Sequence, residues 1–448
     1  MKPVIASKTT AFGLSPVRDF LFQGASAKEA VGIAGVLLIA FFTWMSTAGA
    51  YLGLFLVLCA SVLQLSAPDF RAYWRHPSNI VFLILAFYVL AWECVMQFSG
   101  AFNHESSATK EWVLLLIPWC GYWLYRFPHL IMPVLFLAGL GLLIETLVVA
   151  FDQGDVLLRI FQGEHVFQAK AWGLYLSVVI LGLIVFVPRF FSWTRTWKRA
   201  GIVRLIYITS SLWLIQCLVA AQARTAWVCF MIAVTIVLVV ALSRLYRKGV
   251  GGRGLLMVLV AGFIFILTSV VAMNYEQLSD RFSKDRVNIS KILAGENEQS
   301  LTYTSVTYRY LINKYGYELW LSSPVVGLGP QDSDAIIAKH ENEKLHVLAH
   351  FHSTYIEILV QLGVVGLVLL VLAVAFLWYQ LLRTALAGHV VGDYFLFISC
   401  LFLMIFLWSF FNFRMLNADW RFFWMLLIGV TQAMVLSSYH SMENRGYR

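Results

Sequence analysis

The feature that most constrains this chain is the recurrence, from Ala30 almost to its end, of apolar runs long enough to cross lipid. A helix rises ~1.5 Å per residue, so about twenty apolar residues span a hydrocarbon core of ~30 Å. Lipid offers backbone amides no hydrogen-bond partners, and an isolated run can satisfy them only as a helix. Twelve spans can be read: 30–46, 50–65, 80–98, 112–125, 130–151, 172–187, 202–221, 225–242, 255–273, 356–382, 394–411 and 422–436. The expectation is an all-α integral membrane protein of about twelve transmembrane helices. Composition agrees, because 60% hydrophobic and only 13% charged residues cannot provide a soluble surface around a core.

The stretch before Ala30 is polar and basic (Lys2, Lys8, Arg18, Lys28) and lacks the apolar centre and small-residue cleavage site of a secretory signal, so the first span is expected to be retained. Basic residues then crowd alternate connections: Arg71 and Arg75, Arg126, Arg189 to Arg204, Arg244 to Arg253, Arg383, and Arg445 with Arg448. The short connections between them hold only Lys110, Arg159, Lys170, Arg224, Arg414 and Arg421. By the positive-inside rule both termini lie in the cytoplasm. The net charge of +9 then reports contact with membrane lipids rather than nucleic acid. All six cysteines fall in apolar segments, without disulfide or zinc-type spacing.

One connection differs from the rest. Residues 274–353 are polar, mixed in charge and external by the same count, which divides the chain into 1–273 with nine membrane helices, 274–353 as a large external loop between helices nine and ten, and 354–448 with three more. Within the loop, apolar residues recur at helical spacing over 307–321. Ser322-Ser323-Pro324 and Gly327-Leu328-Gly329-Pro330 then read as a stop followed by tight turns.

Two motif matches carry little. Gly249-Val250-Gly251-Gly252-Arg253-Gly254 has a dinucleotide-binding spacing but no preceding strand. Asp332-Ser333-Asp334 resembles a metal-holding acid pair but, following Gly-Pro, reads more simply as a solvated turn. Arg224, in Ala223-Arg224-Thr225-Ala226-Trp227, stands at the external end of an apolar hairpin with no acid beside it in sequence. It either snorkels to the interface or offers a permanently charged fork to a diphosphate. Arg309, in Tyr308-Arg309-Tyr310, opens the loop helix. His340, His346, His350 and His352 crowd just before the tenth span, and His346 with His350 has a zinc-compatible separation. A single neutral imidazole is the competing reading. Thr354 and Glu357 have capping-box spacing, so the tenth helix is expected to begin there with His352 just ahead of its positive end. That field disfavours imidazolium and leaves a base able to accept a proton from an alcohol.

From Arg309 onward the order is an arginine, a helix with Tyr317 and Trp320, Ser323-Pro324-Val325-Val326-Gly327-Leu328-Gly329-Pro330, then His350-Phe351-His352-Ser353 and the run Tyr355 to Leu367. This resembles the O-antigen ligase and O-antigen polymerase superfamily, most sharply over 223–227 and 308–367. The resemblance implies a GT-C-like inverting glycosyltransferase that takes a glycan from undecaprenyl diphosphate on the periplasmic face of the bacterial inner membrane, with no cofactor and no metal requirement. It implies that Arg224 and Arg309 bind the donor diphosphate and that His352 assists the acceptor hydroxyl. His350 remains the alternative imidazole, and Arg414 and Arg421 are possible accessory phosphate ligands. Ser353 and Ala223 stand where the family usually has Asn and Ser; neither change removes a charge. Twelve spans with one dominant late loop resemble the ligase branch, whose partners are undecaprenyl-diphosphate-linked O-antigen and the lipid A-core oligosaccharide. The polymerase and a protein O-oligosaccharyltransferase are the alternatives within the superfamily, and a lipid-linked glycan transporter is the alternative outside it.

Overall fold

The computed structural model describes residues 15–98, 115–152, 170–192, 197–221, 223–248, 275–296, 298–330 and 333–443. Among them, every regular element is a helix. The expected span 255–273 and the Gly249–Gly254 match lie outside the described residues. Among the described residues, eight helices are long and apolar enough to cross a membrane, so the expected count of twelve stays an expectation.

The chain opens with α1 (Ser15–Leu21) and a hairpin of α2 (Ala27–Phe42) and α3 (Thr47–Val62). A reciprocal cap starts α2: the Ser26 hydroxyl accepts from Glu29 N–H, and the Glu29 carboxylate accepts from Ser26 N–H at 2.8 Å. The short α4 (Pro68–Trp74) leads into α5 (Pro77–Phe98), both with proline at the first helical position, where its missing N–H costs nothing. The span expected at 112–125 is a ten-residue helix, α6 (Ile117–Arg126), with 111–114 outside the described residues. Then come α7 (Ile131–Asp152), α8 (Lys170–Ser192), α9 (Trp197–Ala220) and α10 (Arg224–Lys248).

The loop region contributes α11 (Tyr275–Leu293), α12 (Ser305–Ser322) and the one-turn α13 (Ser333–Ile337). Asp332 lies outside the described residues, and Ser333 with Asp334 opens α13 rather than forming a solvated turn. The chain closes with α14 (Thr354–Leu386), α15 (Gly392–Ser409) and α16 (Ala418–Glu443). Helix α16 is the most buried of the candidate spans and packs on α2, α3, α6 and α14. A second apolar cluster, built on Leu311, Ile312, Ile336, Ile337, Leu345, Phe351 and Val360, joins α12 and α13 to the start of α14.

The decisive irregularity is in α14, which reads as one continuous span in the sequence. At Gly363 the backbone turns to φ 65 and ψ −167, a region essentially reserved for glycine, and the helix divides into two halves. Such a break strands carbonyls on one side and amides on the other, and in an apolar setting each needs a partner. The segment Pro324 to Gly329 supplies them. Leu328 N–H donates to Val360 O at 2.7 Å and Gly329 N–H to Gln361 O at 2.9 Å, while Val364 and Val365 N–H donate to Pro324 O and Val325 O at 3.0 and 3.1 Å. From α5, Tyr88 Oη–H reaches Leu362 O at 2.8 Å and Trp92 Nε1–H reaches Gln361 O at 3.3 Å. Gly327 takes φ 74, and a Cβ there would stand 2.5 Å from the Gln361 carbonyl group. The tight turns read between Ser323 and Pro330 are therefore the mortise that holds a discontinuous helix.

Candidate functional site

Arg224 is the first residue of α10, directly after Ala223. The entry is close-packed: a Cβ on Gly173 of α8 would collide with the Ala223 side chain, so a small residue must precede the arginine. Trp227 Nε1–H donates to Leu218 O of α9 at 3.0 Å, tying the start of α10 to the end of the preceding helix. The guanidinium therefore sits at the positive end of a helix, where backbone N–H groups face outward and anions are favoured.

In sequence Arg224 has no acidic neighbour, but the fold brings one. Asp285 of α11 is 7% exposed and pairs with Arg224 Nη1 at 3.1 Å. Arg309, in the second turn of α12, belongs to the same group. Burial, and after it the neighbouring Arg224 charge, lowers the Arg309 pKa below the usual guanidinium value, while Asp285 opposes the shift. Arg309 Nε is buried and has no hydrogen-bond partner among the described residues. Two cations and one carboxylate leave this cluster with a net charge of +1 and a buried donor still to be satisfied. An anion is the ligand that such a site lacks.

Asparagine and threonine side chains hold the cluster together. Asn288, one turn beyond Asp285, donates from Nδ2 to Thr302 O at 2.8 Å and accepts from Thr302 N–H at 3.1 Å. Thr304 then caps α12 by accepting from Thr307 N–H. These contacts lock the approach of α11 to α12, and with it the separation of Asp285 from Arg309.

His352 lies immediately ahead of α14, with φ 56, the one left-handed non-glycine residue among those described. Such a conformation costs of order 1 kcal/mol and persists only where the surroundings enforce it. The expected Thr354–Glu357 capping box is not formed. Ser353 is the N-cap, accepting from Ile356 N–H at 3.5 Å, and Thr354 is already helical, with its N–H and hydroxyl both donating to Asn412 O. Glu357 does reach back, but to Phe351 N–H at 3.0 Å, between the two histidines. Its carboxylate, 1% exposed, also accepts from the Ser333 hydroxyl and from Gln361 Nε2 at 2.8 Å. Glu357 is a residue that the sequence reading used only as a cap, and its role as a three-way clamp depends on α13 and Gln361.

The same loop distinguishes the two imidazoles. His352 N–H donates to His350 Nδ1 at 3.1 Å, so Nδ1 of His350 is the unprotonated nitrogen and neutral His350 carries its hydrogen on Nε2. Its acceptor nitrogen is thereby occupied by backbone. The rings meet edge to face at 4.3 Å, and Phe413 flanks His350 at 5.6 Å. The zinc-compatible separation of His346 and His350 does not fall on a helix: His346 follows a single 3₁₀ turn, and its Nε2 bonds to His340 O at 2.7 Å. No group of three His, Cys, Asp or Glu able to hold a metal gathers among the described residues.

The structure brings Arg224 and Arg309 together and seats His352 on a loop whose Phe351 side chain packs against α12, where a Cβ on Gly316 would stand 2.9 Å from it. Arg414 is engaged elsewhere, donating from Nε to Asp419 at 2.9 Å, and the same carboxylate accepts from Tyr175 at 3.0 Å. Arg421, in the first turn of α16, lines a cavity of about 90 Å³ with Phe413, Trp420, Trp424, Glu357 and Gln361.

Residues 209–371 match the family model described as O-antigen ligase, which supports assignment of the chain to that family and to the ligase and polymerase type of function. The matched segment contains Arg224, Asp285, Arg309, both histidines and the Gly363 break; Arg414 and Arg421 lie beyond it. No curated protein matches the chain.

Proposed function

We propose, with the O-antigen ligase family as premise, that this chain transfers O-antigen glycan from undecaprenyl diphosphate to the lipid A-core oligosaccharide on the periplasmic face of the bacterial inner membrane. The observation that carries this reading is the half-buried Arg224–Asp285–Arg309 cluster at the start of α10, with an excess positive charge and an unsatisfied guanidinium Nε. It suits a diphosphate, whose oxygens accept from both guanidinium groups and from the helix N-terminus.

In the reaction, the acceptor hydroxyl oxygen forms a bond to the anomeric carbon as the bond from that carbon to the diphosphate oxygen breaks. The electron pair leaves on the diphosphate, where Arg224 and Arg309 stabilise the developing charge without a metal ion. The hydroxyl proton passes to His352, which is favoured over His350 because the acceptor nitrogen of His350 is held by the His352 amide. Attack opposite the leaving group inverts the anomeric centre.

The test is transfer in proteoliposomes from lipid-linked O-antigen to lipid A-core, with and without chelator, comparing wild type with Arg224→Ala, Arg309→Ala and His352→Ala. Transfer that survives chelation and is lost in the three variants supports the proposal. Loss on chelation, or full activity in either arginine variant, would overturn it. Movement of intact lipid-linked glycan without cleavage would mark a transporter instead.

A further inference from the structure

We infer that the segment from Trp320 to Val326 is not part of a water-exposed cap but a wedge that lays its apolar side chains against the outer edge of the lipid at the outer end of α14, continuous with that helix's lipid-facing side. The argument begins with depth. Val364 and Val365 open the second half of α14, and from Val364 to Arg383 the chain rises ~30 Å, the thickness of a hydrocarbon core. The Gly363 break therefore stands at the edge of the lipid, and Pro324 and Val325 are bonded to Val364 and Val365 there.

Helix α5 places the break by an independent route. Trp92 and Tyr88, which bond to the Gln361 and Leu362 carbonyls, stand ~9 and ~15 Å from the end of that apolar helix at Phe98, counted at ~1.5 Å per residue. The contact thus falls within the span of α5 and not above it.

The side chains at this depth are those lipid accepts. Leu321 and Val325 are 53% and 61% exposed, with Tyr317 and Val326 exposed beside them. They continue the stripe of exposed Val364, Val368, Val371 and Leu372 on α14. Tyr317 and Trp320 lie 5.4 Å apart at the border, as interfacial aromatics do. On the adjoining flank of α12, Lys314 is paired with Glu298 and Glu318, giving the wedge a polar rim.

The backbone there is also bonded within the protein. Ser323 N–H bonds to Trp320 O, Gly327 N–H to Ser323 O, and the Ser323 hydroxyl to Gly327 O at 2.7 Å. Pro324 O accepts from both Val364 N–H and Trp320 Nε1–H at 3.0 Å. These bonds tie the irregular segment to α14, so that its backbone is backed by protein while its apolar side chains face the lipid edge.

The test uses the full chain in proteoliposomes, with the exposed Cys59 and Cys94 changed to serine and a nitroxide attached through Leu321→Cys or Val325→Cys. Val368→Cys is the lipid reference, and Val347→Cys, on the exposed loop before His350, is the aqueous reference. Both wedge labels are expected to collide more with oxygen than with a water-soluble nickel chelate, as Val368 does, with the ratio reversed at Val347. A water-type ratio at either wedge position would overturn the inference. So would dipolar broadening between labels, which would assign the surface to a second copy of the chain.

Discussion

Replacing Glu357 tests whether the histidine loop is positioned or merely present. Its carboxylate accepts from Phe351 N–H, the Ser333 hydroxyl and Gln361 Nε2 in a place closed to water. Glu357→Ala strands the Phe351 amide and the Ser333 hydroxyl, each costing ~1–3 kcal/mol when buried and unpaired, while Gln361 Nε2 keeps Ser333 Oγ at 3.1 Å, so a loss of at least ~2 kcal/mol is expected. Glu357→Gln is the sharper perturbation. One amide oxygen can still serve Ser333 and Gln361, but the NH₂ group then faces Phe351 N–H, donor against donor, at a cost of ~1–3 kcal/mol. Phe351 stands between His350 and His352, so the relaxation moves the imidazoles. A displacement of ~1 Å in a reacting group can cost ~10²-fold in rate. The assay is steady-state transfer in proteoliposomes beside thermal unfolding. Glu357→Gln is expected to lower kcat by ~10-fold or more with little change in KM for either substrate. Wild-type kcat in Glu357→Gln, or a loss of rate that merely follows the unfolded fraction, would refute the positioning role.

Gly363→Ala places a side chain in a glycine-only conformation and against Val325 O; a loss of ~1–3 kcal/mol is expected as a lower thermal midpoint, with the wedge labels shifting toward water. Asp285→Asn raises the net charge of the arginine cluster from +1 to +2. It is expected to tighten inhibition by free polyprenyl diphosphate while lowering stability by ~1 kcal/mol, since Arg224 is about a third exposed and screened by solvent. His352→Ala should reduce transfer by ~10²-fold or more, the scale of a lost general base, and His350→Ala by less; the reverse order in kcat would reassign the base.

The spans from α7 to α10 and from α14 to α16 were legible because hydropathy over twenty residues is a local quantity, and lipid leaves a local run only one backbone solution. The helix at 307–321 was legible from the helical spacing of its apolar residues, likewise a local pattern, and α12 covers it. Arg224, Arg309 and His352 could be singled out by residue type and motif. Asp285 could not, since it lies far along the chain from Arg224 and is one unremarkable acid in a polar segment. Ser353 displaced Thr354 as the cap because the Thr354 amide and hydroxyl found the Asn412 carbonyl, a partner from the last hairpin. Gly363 read as one more glycine in an apolar run, where glycine is common.

By itself, then, the order of residues determined which long apolar runs form helices and which side chains carry a fixed positive charge or an imidazole. The tertiary structure alone decided that Asp285 pairs with Arg224 close to Arg309, that α14 is two half-helices, and that Pro324 to Gly329 closes the gap between them. These are hydrogen-bonding and charge-neutralising requirements, satisfied by whichever group arrives in space, and distance along the chain does not specify that group.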